Sequence, residues 1–324
     1  MNRIGRIAMV AVAVALSVAG CAGGAGKKVS ADSSGLLPVK IGYTAPGAGY
    51  SDLYTAADYG IFKKHGLNVQ LVRLNTSSQL VASLASNSVQ IGVGVAQDSA
   101  AAILKGAPLR FVAMSEPHYN LEMWAGPGIK TVQDLRGKKV AISSPGSESD
   151  FGLTALLNSK GMQRGDVQTE FVQGIPAEVA ALDSGSVQAI LTQPPNGTQS
   201  RDHGATRLAA LSNLDFALGT YTVESAYLAN NRDVVTKFVQ ADAEALQFLR
   251  SHPQQTEQSI EKYTGVTSSA LAQYAYTFFI NVWAQTPTVD ENLIAQAFKN
   301  AATTAHVSPP ANVSQYIDNL GGSS

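Results

Sequence analysis

Apolar segments alternate with amphipathic segments along the first two thirds of the chain, and the alternation predicts strands and helices in turn. The predicted strands of the first part cover residues 39–43, 67–74, 89–95 and 109–114. Small polar residues between them predict helices that begin at Ser51, at Ser77 or Ser78, and at Asp98 or Ser99. This order predicts a mostly parallel sheet with helices on both of its faces.

The same alternation occurs again between residues 139 and 191. Strands are predicted at residues 139–143, 169–172 and 187–191, with helices that begin at Ser149 or Asp150 and in the turn that contains Pro176. Residues 84–90 and 182–188 share five of seven positions, through either an internal repeat or convergent turn chemistry. In both cases the same strand–helix unit is present in each half.

The chain becomes helical from Asn230 onward. Apolar positions there recur with a period of about 3.6 residues, and further helix starts are predicted at Pro253, near Ser268 and at Asp290. About 290 residues follow the N-terminal segments, and a chain of that length favours two lobes over one core. The sequence therefore predicts two α/β units followed by a helical tail.

The N-terminus has the pattern of an export signal. Arg3 and Arg6 precede an apolar run at residues 7–18, which is too short to span a bilayer. The run ends in Val-Ala-Gly before Cys21, which resembles the bacterial lipobox and is the only cysteine of the chain. We therefore predict a lipoprotein signal peptide at residues 1–20, a lipid on Cys21 and a flexible tether at residues 21–35, the alternative being an ordinary signal peptide with a chance cysteine.

Composition and motifs narrow the function further. The 324 residues carry a formal charge of −1, with 45% hydrophobic and 15% charged residues, which argues against a nucleic-acid partner. The sequence has no phosphate-binding loop, no paired cysteines and no hydrolase or metalloprotease motif, and its five histidines are widely scattered. We therefore expect no catalytic residue, no metal and no cofactor.

Polar residues cluster where five predicted strands end, at residues 45–51, 75–79, 97–99, 143–149 and 192–195. In doubly wound sheets, ligands bind beyond the carboxyl ends of the strands, where helix N-termini offer unpaired amides. Helix capping is the alternative explanation for each cluster. The predicted ligand-binding residues are Tyr50, Ser51, Thr76, Ser77, Gln97, Asp98, Glu116, Tyr119, Ser147, Glu148 and Gln193.

Several of these stretches resemble type II periplasmic solute-binding proteins, in the branch that binds aliphatic sulfonates, taurine, nitrate and thiamine-pyrimidine precursors. Residues 41–43, 53–67, 90–94 and 130–141 carry the resemblance. It implies an α/β fold of two lobes, each a mostly parallel sheet flanked by helices, joined by hinge strands that cross near residues 115–124 and 221–228. Lobe 1 then takes residues 36–118 and 225–324, and lobe 2 takes residues 119–224.

The resemblance also implies the role. We expect a monomer, held by its lipid on the periplasmic or outer face of a cell membrane, that closes on a small molecule and delivers it to an ABC permease. A ligand-sensing subunit for a membrane receptor is one alternative. An enzyme acting on a thiamine-pyrimidine-type precursor is another, although export and the single lipidated cysteine both oppose it.

The composition of the five clusters differs from that of a typical anion-binding site, since none of them contains Arg or Lys. Acids lie in or near them instead, at Asp98, Glu116, Glu148 and Asp150. This balance favours a neutral or heterocyclic ligand such as a pyrimidine. Tyr50, Tyr119 or Phe151 would then stack on the ligand.

Overall fold

The structure, a computed structural model, describes residues 28–44 and 46–320. The predicted signal peptide, Cys21 and the first part of the tether lie outside the described residues. Within the described ranges, no helix is long and apolar enough to cross a membrane.

Strands and helices alternate as the hydrophobic pattern predicts. The described residues form ten strands, which are β1 (Leu37–Tyr43), β2 (Leu67–Arg73), β3 (Ile91–Gly94), β4 (Leu109–His118), β5 (Glu122–Ala125), β6 (Lys139–Ile142), β7 (Gln168–Phe171), β8 (Ala189–Thr192), β9 (Thr206–Ala210) and β10 (Asp215–Glu224). The α-helices are α1 (Ser51–Asp58), α2 (Ile61–Lys64), α3 (Ser77–Ala85), α4 (Ala96–Leu104), α5 (Glu148–Ser159), α6 (Ile175–Asp183), α7 (Ser225–Asn230), α8 (Arg232–Ser251), α9 (Pro253–Thr264), α10 (Ser269–Phe279) and α11 (Glu291–Ala305).

The strands form two sheets with the same internal arrangement. The first has the order β2–β1–β3–β10–β4 and the second the order β7–β6–β8–β5–β9. In the first sheet β1 pairs in parallel with β2 and β3, while β10 runs antiparallel between β3 and β4. In the second, β6 pairs in parallel with β7 and β8, while β5 runs antiparallel between β8 and β9. The predicted fold class, two mostly parallel sheets flanked by helices, is confirmed.

The antiparallel strand of each sheet arrives from the other sheet. The chain crosses at residues 119–121, between β4 and β5, and returns at residues 211–214, between β9 and β10. The second crossing therefore precedes the predicted one at residues 221–228, because Tyr221 already pairs with Val93 and Ala113 in the first sheet. Nine of the ten β10 residues are buried, so the strand lacks the alternation that would have indicated its place.

Apolar clusters cover both faces of each sheet. In the first sheet, one cluster joins Leu53 to Phe238 of α8, and the other joins Leu80 to Phe298 of α11. The helical tail therefore packs against the first sheet on both sides. In the second sheet, α5 and α6 cover opposite faces, so each sheet is the middle layer of its own α/β unit.

Helix starts lie within a few residues of their predicted positions, and the capping residues differ slightly. Thr76 caps α3 and accepts a hydrogen bond from the Gln79 amide, rather than Ser77 or Ser78. Ser147 caps α5, ahead of the predicted start. Residues 84–90 and 182–188 form equivalent turns, in which Asn87 and Gly185, one of the two aligned pairs that differ, both have positive φ angles. The two segments therefore share a turn geometry as well as five residues.

Candidate functional site

A cavity of ≈ 190 Å³ lies between the two sheets. Its described lining consists of Thr44, Gly47, Gly49, Tyr50, Gly94, Val95, Glu116, Asn120, Glu148, Leu218 and Gly219, with Gln193. These residues follow β1, β3, β6 and β8 or lie on the strands and crossing between the sheets. The cavity thus occupies the edge where ligands bind in open α/β sheets.

Glu116 is the most deeply buried acid of this cavity, with 2% of its surface exposed. The loop before α1 contacts it closely, since a Cβ atom added at Gly49 would lie 2.5 Å from both carboxyl oxygens. Trp283 fixes this loop by donating from its indole Nε1 to the Gly49 carbonyl oxygen over 2.9 Å. The bare Gly49 backbone therefore leaves room for the carboxyl group beside the ligand space.

The neighbouring strand gives Glu116 equally little space. Gly219 on β10 has a φ angle of +50°, and a Cβ atom there would lie 2.9 Å from the Glu116 amide nitrogen. The same Cβ would lie 2.6 Å from the Ser115 hydroxyl. Both the backbone angle and the close approach require glycine at this position.

A relay of amide groups orients the side chain of Glu116. Gln193 Nε2 donates to Asn120 Oδ1 over 3.0 Å, and Asn120 Nδ2 donates to Glu116 Oε2 over 3.1 Å. Gln193 follows β8 of the second sheet, whereas Glu116 lies on β4 of the first. The relay therefore connects the two sheets through the crossing segment.

Glu148, at the first position of α5, brings a second carboxyl group to the cavity. Its Oε1 atom is buried and has no hydrogen-bond partner. Burial raises the pKa of Glu148 to about 8, and the nearby charge of Asp98 adds to the shift. Burial also raises the pKa of Glu116 to about 8 against the opposing hydrogen bond from Asn120. Strongly shifted carboxyls in a cavity are typical of functional sites.

Direct contacts beside the cavity join the two α/β units. Gln97, in the first turn of α4, donates from Nε2 to the Gly146 carbonyl oxygen over 2.9 Å. A Cβ atom at Gly146 would lie 3.1 Å from the hydroxyl of Thr304 on α11. The loop before α5 therefore rests against two helices of the first unit.

Four of the predicted ligand-binding residues line this cavity, and seven do not. Tyr50, Glu116, Glu148 and Gln193 are in its lining. Among the others, Gln97 lies beside it in the contact described above, while Ser51 donates to the Ala48 carbonyl oxygen at the start of α1. Thr76 and Ser147 cap helices.

Ser77 and Asp98 lie in a different place. They are among the residues that line a larger, more open groove of ≈ 570 Å³ between α3 and α4, where the Ser77 hydroxyl donates to Asp98 Oδ2. The groove lies on the first unit alone, whereas both units line the smaller cavity, which contains two acids whose pKa values burial raises. We therefore assign the candidate site to the smaller cavity.

Two of the three aromatic residues predicted to stack on a ligand do not line the cavity. Tyr119 stacks on Phe216 with ring centroids 4.3 Å apart, and Phe151 lies tilted against the same ring. All three belong to the apolar cluster of the second sheet, because the return crossing brings Phe216 between them. Of the three aromatic candidates, Tyr50 is the one in the cavity lining.

Sequence reasoning missed several lining residues. Asn120 lies in a crossing segment, and Leu218 and Gly219 lie on the strand that was assigned to the other lobe. The Gly47 and Gly49 pair was visible as an unusually bare loop, which was the available signal for close backbone approach. Nothing local in the sequence distinguishes Asn120 from other crossing residues.

The sequence profile of the family described as NMT1/THI5 like matches residues 49–256, more than half of the chain. The protein belongs to this family. A Brucella abortus relative whose name describes a binding protein is 26% identical over 244 residues, which cover 72% of this chain and 74% of the relative.

Solved structures show the fold of this NMT1/THI5-like protein. The periplasmic aliphatic sulphonate binding protein of Escherichia coli aligns with a TM-score of 0.71 at 20% identity, covering 89% of this chain and 94% of that one. The ligand-binding component of an ABC-type import system from Staphylococcus aureus aligns with a TM-score of 0.69 at 15% identity, covering 87% and 96%. The fold is therefore that of the periplasmic solute-binding proteins of ABC import systems.

Proposed function

We propose that this protein is an extracytoplasmic, lipid-anchored binding protein that delivers a small polar or heterocyclic molecule to an ABC importer. The observation that carries the proposal is the cavity to which both sheets contribute, lined by the buried Glu116 and by Glu148, whose buried Oε1 atom has no hydrogen-bond partner. The family, the name of the Brucella relative and the fold of the two solved binding proteins support the same role.

Delivery requires that the site opens and closes. In this proposal the sheets with their helices act as two lobes, and residues 119–121 and 211–214 are the hinge. Only these two short crossings connect the strands of one sheet to those of the other in the described part of the chain. Short connections between packed units are the usual place of hinge closure. The permease would then recognise the closed, ligand-bound form of the monomer.

The proposed lipid anchor is inferred from the sequence around Cys21. A diacyl chain on this cysteine would hold the globule at a membrane surface through the tether that follows it. A Cys21→Ala variant is expected to leave the membrane fraction and appear in the soluble extracytoplasmic fraction, with no incorporation of labelled fatty acid. Membrane retention of the variant without label would contradict the anchor.

Binding without chemistry is the second part of the proposal. The described lining of the cavity contains neither a Ser–His nor a Cys–His pair that could form a nucleophile. A bound compound should therefore be recovered unaltered after long incubation. Conversion of the compound into a product would favour the enzymatic alternative.

Thermal unfolding tests the binding role directly. The full chain in detergent is first dialysed to remove bound molecules, then unfolded with pyrimidines, sulfonates, nitrate, aromatic acids and small amines. A ligand present at about 100 times its Kd adds about 2.7 kcal/mol to the unfolding free energy. For a domain of this size that raises Tm by roughly 2–4 °C per kcal/mol. Loss of uptake of the same compound in cells lacking the protein would then establish delivery.

A further inference from the structure

Two acids from opposite sheets face one cavity, and the described residues that line it include no Lys, Arg or His. Glu116 comes from β4 of the first sheet and Glu148 from the start of α5 beside the second. The other titratable groups that interact with them are the carboxyls of Asp52 on α1 and Asp98 on α4 and the phenols of Tyr50, Tyr54 and Tyr119. The described side chains that line the cavity therefore supply negative charge or neutral polarity and no positive charge.

The hydrogen bonds around Glu116 leave it free to accept more. Asn120 donates to Glu116 Oε2, and the orientation of Asn120 is fixed by the donation it receives from Gln193. The relay supplies a donor to Glu116 from one side, which suits an ionised carboxylate. A ligand that donates hydrogen bonds would complete the set and hold the carboxyl in its ionised form, in place of the proton that it keeps without ligand.

Glu148, on the other side of the cavity, also lacks a hydrogen-bond donor. Its buried Oε1 atom has no partner, and a buried polar atom without one costs about 1–3 kcal/mol. Its place in the first turn of α5 stabilises negative charge through the helix dipole. A donor with positive charge would satisfy this oxygen and neutralise the pair of acids.

We propose that the cavity binds an organic cation, with an ammonium, amidinium or guanidinium group held between Glu116 and Glu148. This inference rests on the proposed binding function and specifies the chemical class of its ligand. The volume of ≈ 190 Å³ suits a single ring or a short chain that carries the charged group. Sulfonates and nitrate should bind more weakly than the cation, because they could be held only while both carboxyls stay protonated.

The proposal fixes the sign of the pH dependence. Without ligand, burial holds the pKa values of both carboxyls at about 8. A bound cation favours the ionised carboxyls and so releases protons. Affinity for a permanently charged cation should therefore rise with pH up to about 8, by as much as about tenfold per pH unit for each proton released. A neutral or anionic ligand held by protonated carboxyls would show the opposite sign.

Three probes with one ring and three charges separate these cases, namely benzamidinium, benzamide and benzoate. Titration calorimetry on the dialysed full chain in detergent, at about pH 6.5 and 7.5 in two buffers of different ionisation heat, measures both affinity and proton release. We expect benzamidinium to bind more than tenfold more tightly than benzamide, to release protons and to bind more tightly at the higher pH. Glu116→Gln and Glu148→Gln should each weaken its binding at least tenfold.

Glu178→Gln is the matched control. Glu178 is a buried acid on α6 whose pKa burial raises to about 7, and it does not line the cavity. Its replacement should leave benzamidinium binding unchanged. Equal losses in all three variants would assign the effect to stability and overturn the proposal.

The remaining outcomes separate the ligand class from the binding function. Tighter binding of benzoate or benzamide than of benzamidinium overturns the proposal of a cationic ligand and leaves the proposed binding function intact. An affinity for benzamidinium that falls with rising pH has the same meaning. If no probe binds, mass spectrometry of the denatured, undialysed protein decides. A co-purified organic cation supports the proposal, and a co-purified neutral or anionic compound overturns it. If no probe binds and the denatured protein releases no compound, both the cationic ligand and the proposed binding function are overturned.

Discussion

Replacing Glu116 by Gln should change how the stability of the ligand-free protein depends on pH. Burial raises the pKa of this carboxyl from 4.5 to about 8, so the native protein keeps a proton that the unfolded chain loses. The stability that this group contributes is therefore complete below about pH 4.5 and is lost as the pH rises toward 8. Gln has no such proton and should show no such loss.

The size of this difference in unfolding free energy follows from the release of one proton per molecule on unfolding. Unfolding that releases one proton lowers the free energy of unfolding by about 1.4 kcal/mol for each pH unit. Between about pH 5.5 and 7.5, the wild type should therefore lose about 2.7 kcal/mol more than Glu116→Gln. Shifted acids that do not interact with Glu116, such as Glu178, titrate in both proteins and cancel in the comparison, whereas Glu148 is coupled to Glu116 by charge and adds a smaller change of its own.

Urea unfolding of the dialysed proteins at several pH values measures this difference. Glu178→Gln provides a second curve, and its difference from the wild type should stop growing near pH 7, where the pKa of Glu178 lies. The Glu116→Gln difference should continue to grow toward pH 8. Parallel curves for the wild type and Glu116→Gln over the whole range would refute the assignment of a buried, protonated carboxyl.

Three further substitutions test the geometry. Gly219→Ala should cost at least about 2 kcal/mol of stability, measured by urea unfolding, because its φ angle of +50° and the contact with the Glu116 strand leave no space for Cβ. Tyr221→Phe should cost about 1–3 kcal/mol by the same measurement, because the Tyr221 hydroxyl donates to the buried carboxyl of Asp52. Gln97→Ala removes the contact with Gly146 between the sheets and should weaken ligand binding by roughly twofold to tenfold, as measured by calorimetry.

Each substitution has a control with the same chemistry in a different setting. Gly94→Ala places its Cβ 3.6 Å from the nearest atom, and Tyr54→Phe removes a buried hydroxyl that has no partner, so each should cost less than about 1 kcal/mol. Gln133→Ala removes a similar bond to the Lys160 carbonyl oxygen within one unit and should leave affinity unchanged. Equal effects in test and control variants would contradict the geometric reasons given.

Local pattern was sufficient for the elements that alternate between strand and helix. The strands β1, β2, β4, β6, β7 and β8 lie where apolar runs predicted them, and β3 is a shortened form of its prediction. The antiparallel strand β10 falls within the range predicted for lobe 2 but belongs to the first sheet, because its buried residues pair with β3 and β4 far away in sequence. Side-chain periodicity indicates a strand and not its neighbours.

The residues of the candidate site also divide into those that local pattern predicted and those that only tertiary contacts decided. Tyr50, Glu148 and Gln193 belong to the polar clusters predicted at strand ends, and Glu116 lies in the predicted hinge. All four line the cavity because the carboxyl ends of parallel strands meet at one edge. Tyr119 and Phe151 looked equally suitable, but Phe216 packs against both of them. Residue type alone does not distinguish an aromatic ring that meets a ligand from one that meets the core.

The sequence by itself determined the fold class, the doubled α/β unit, the helical tail and the acidic character of the strand ends, because each of these depends on short-range pattern and composition. Only the tertiary structure decided which acids share a cavity, where the chain crosses between the sheets and which glycines allow the backbone to approach Glu116. Those features depend on contacts between residues that are distant along the chain. Such contacts form when packing brings the two sheets together, and no local preference encodes them.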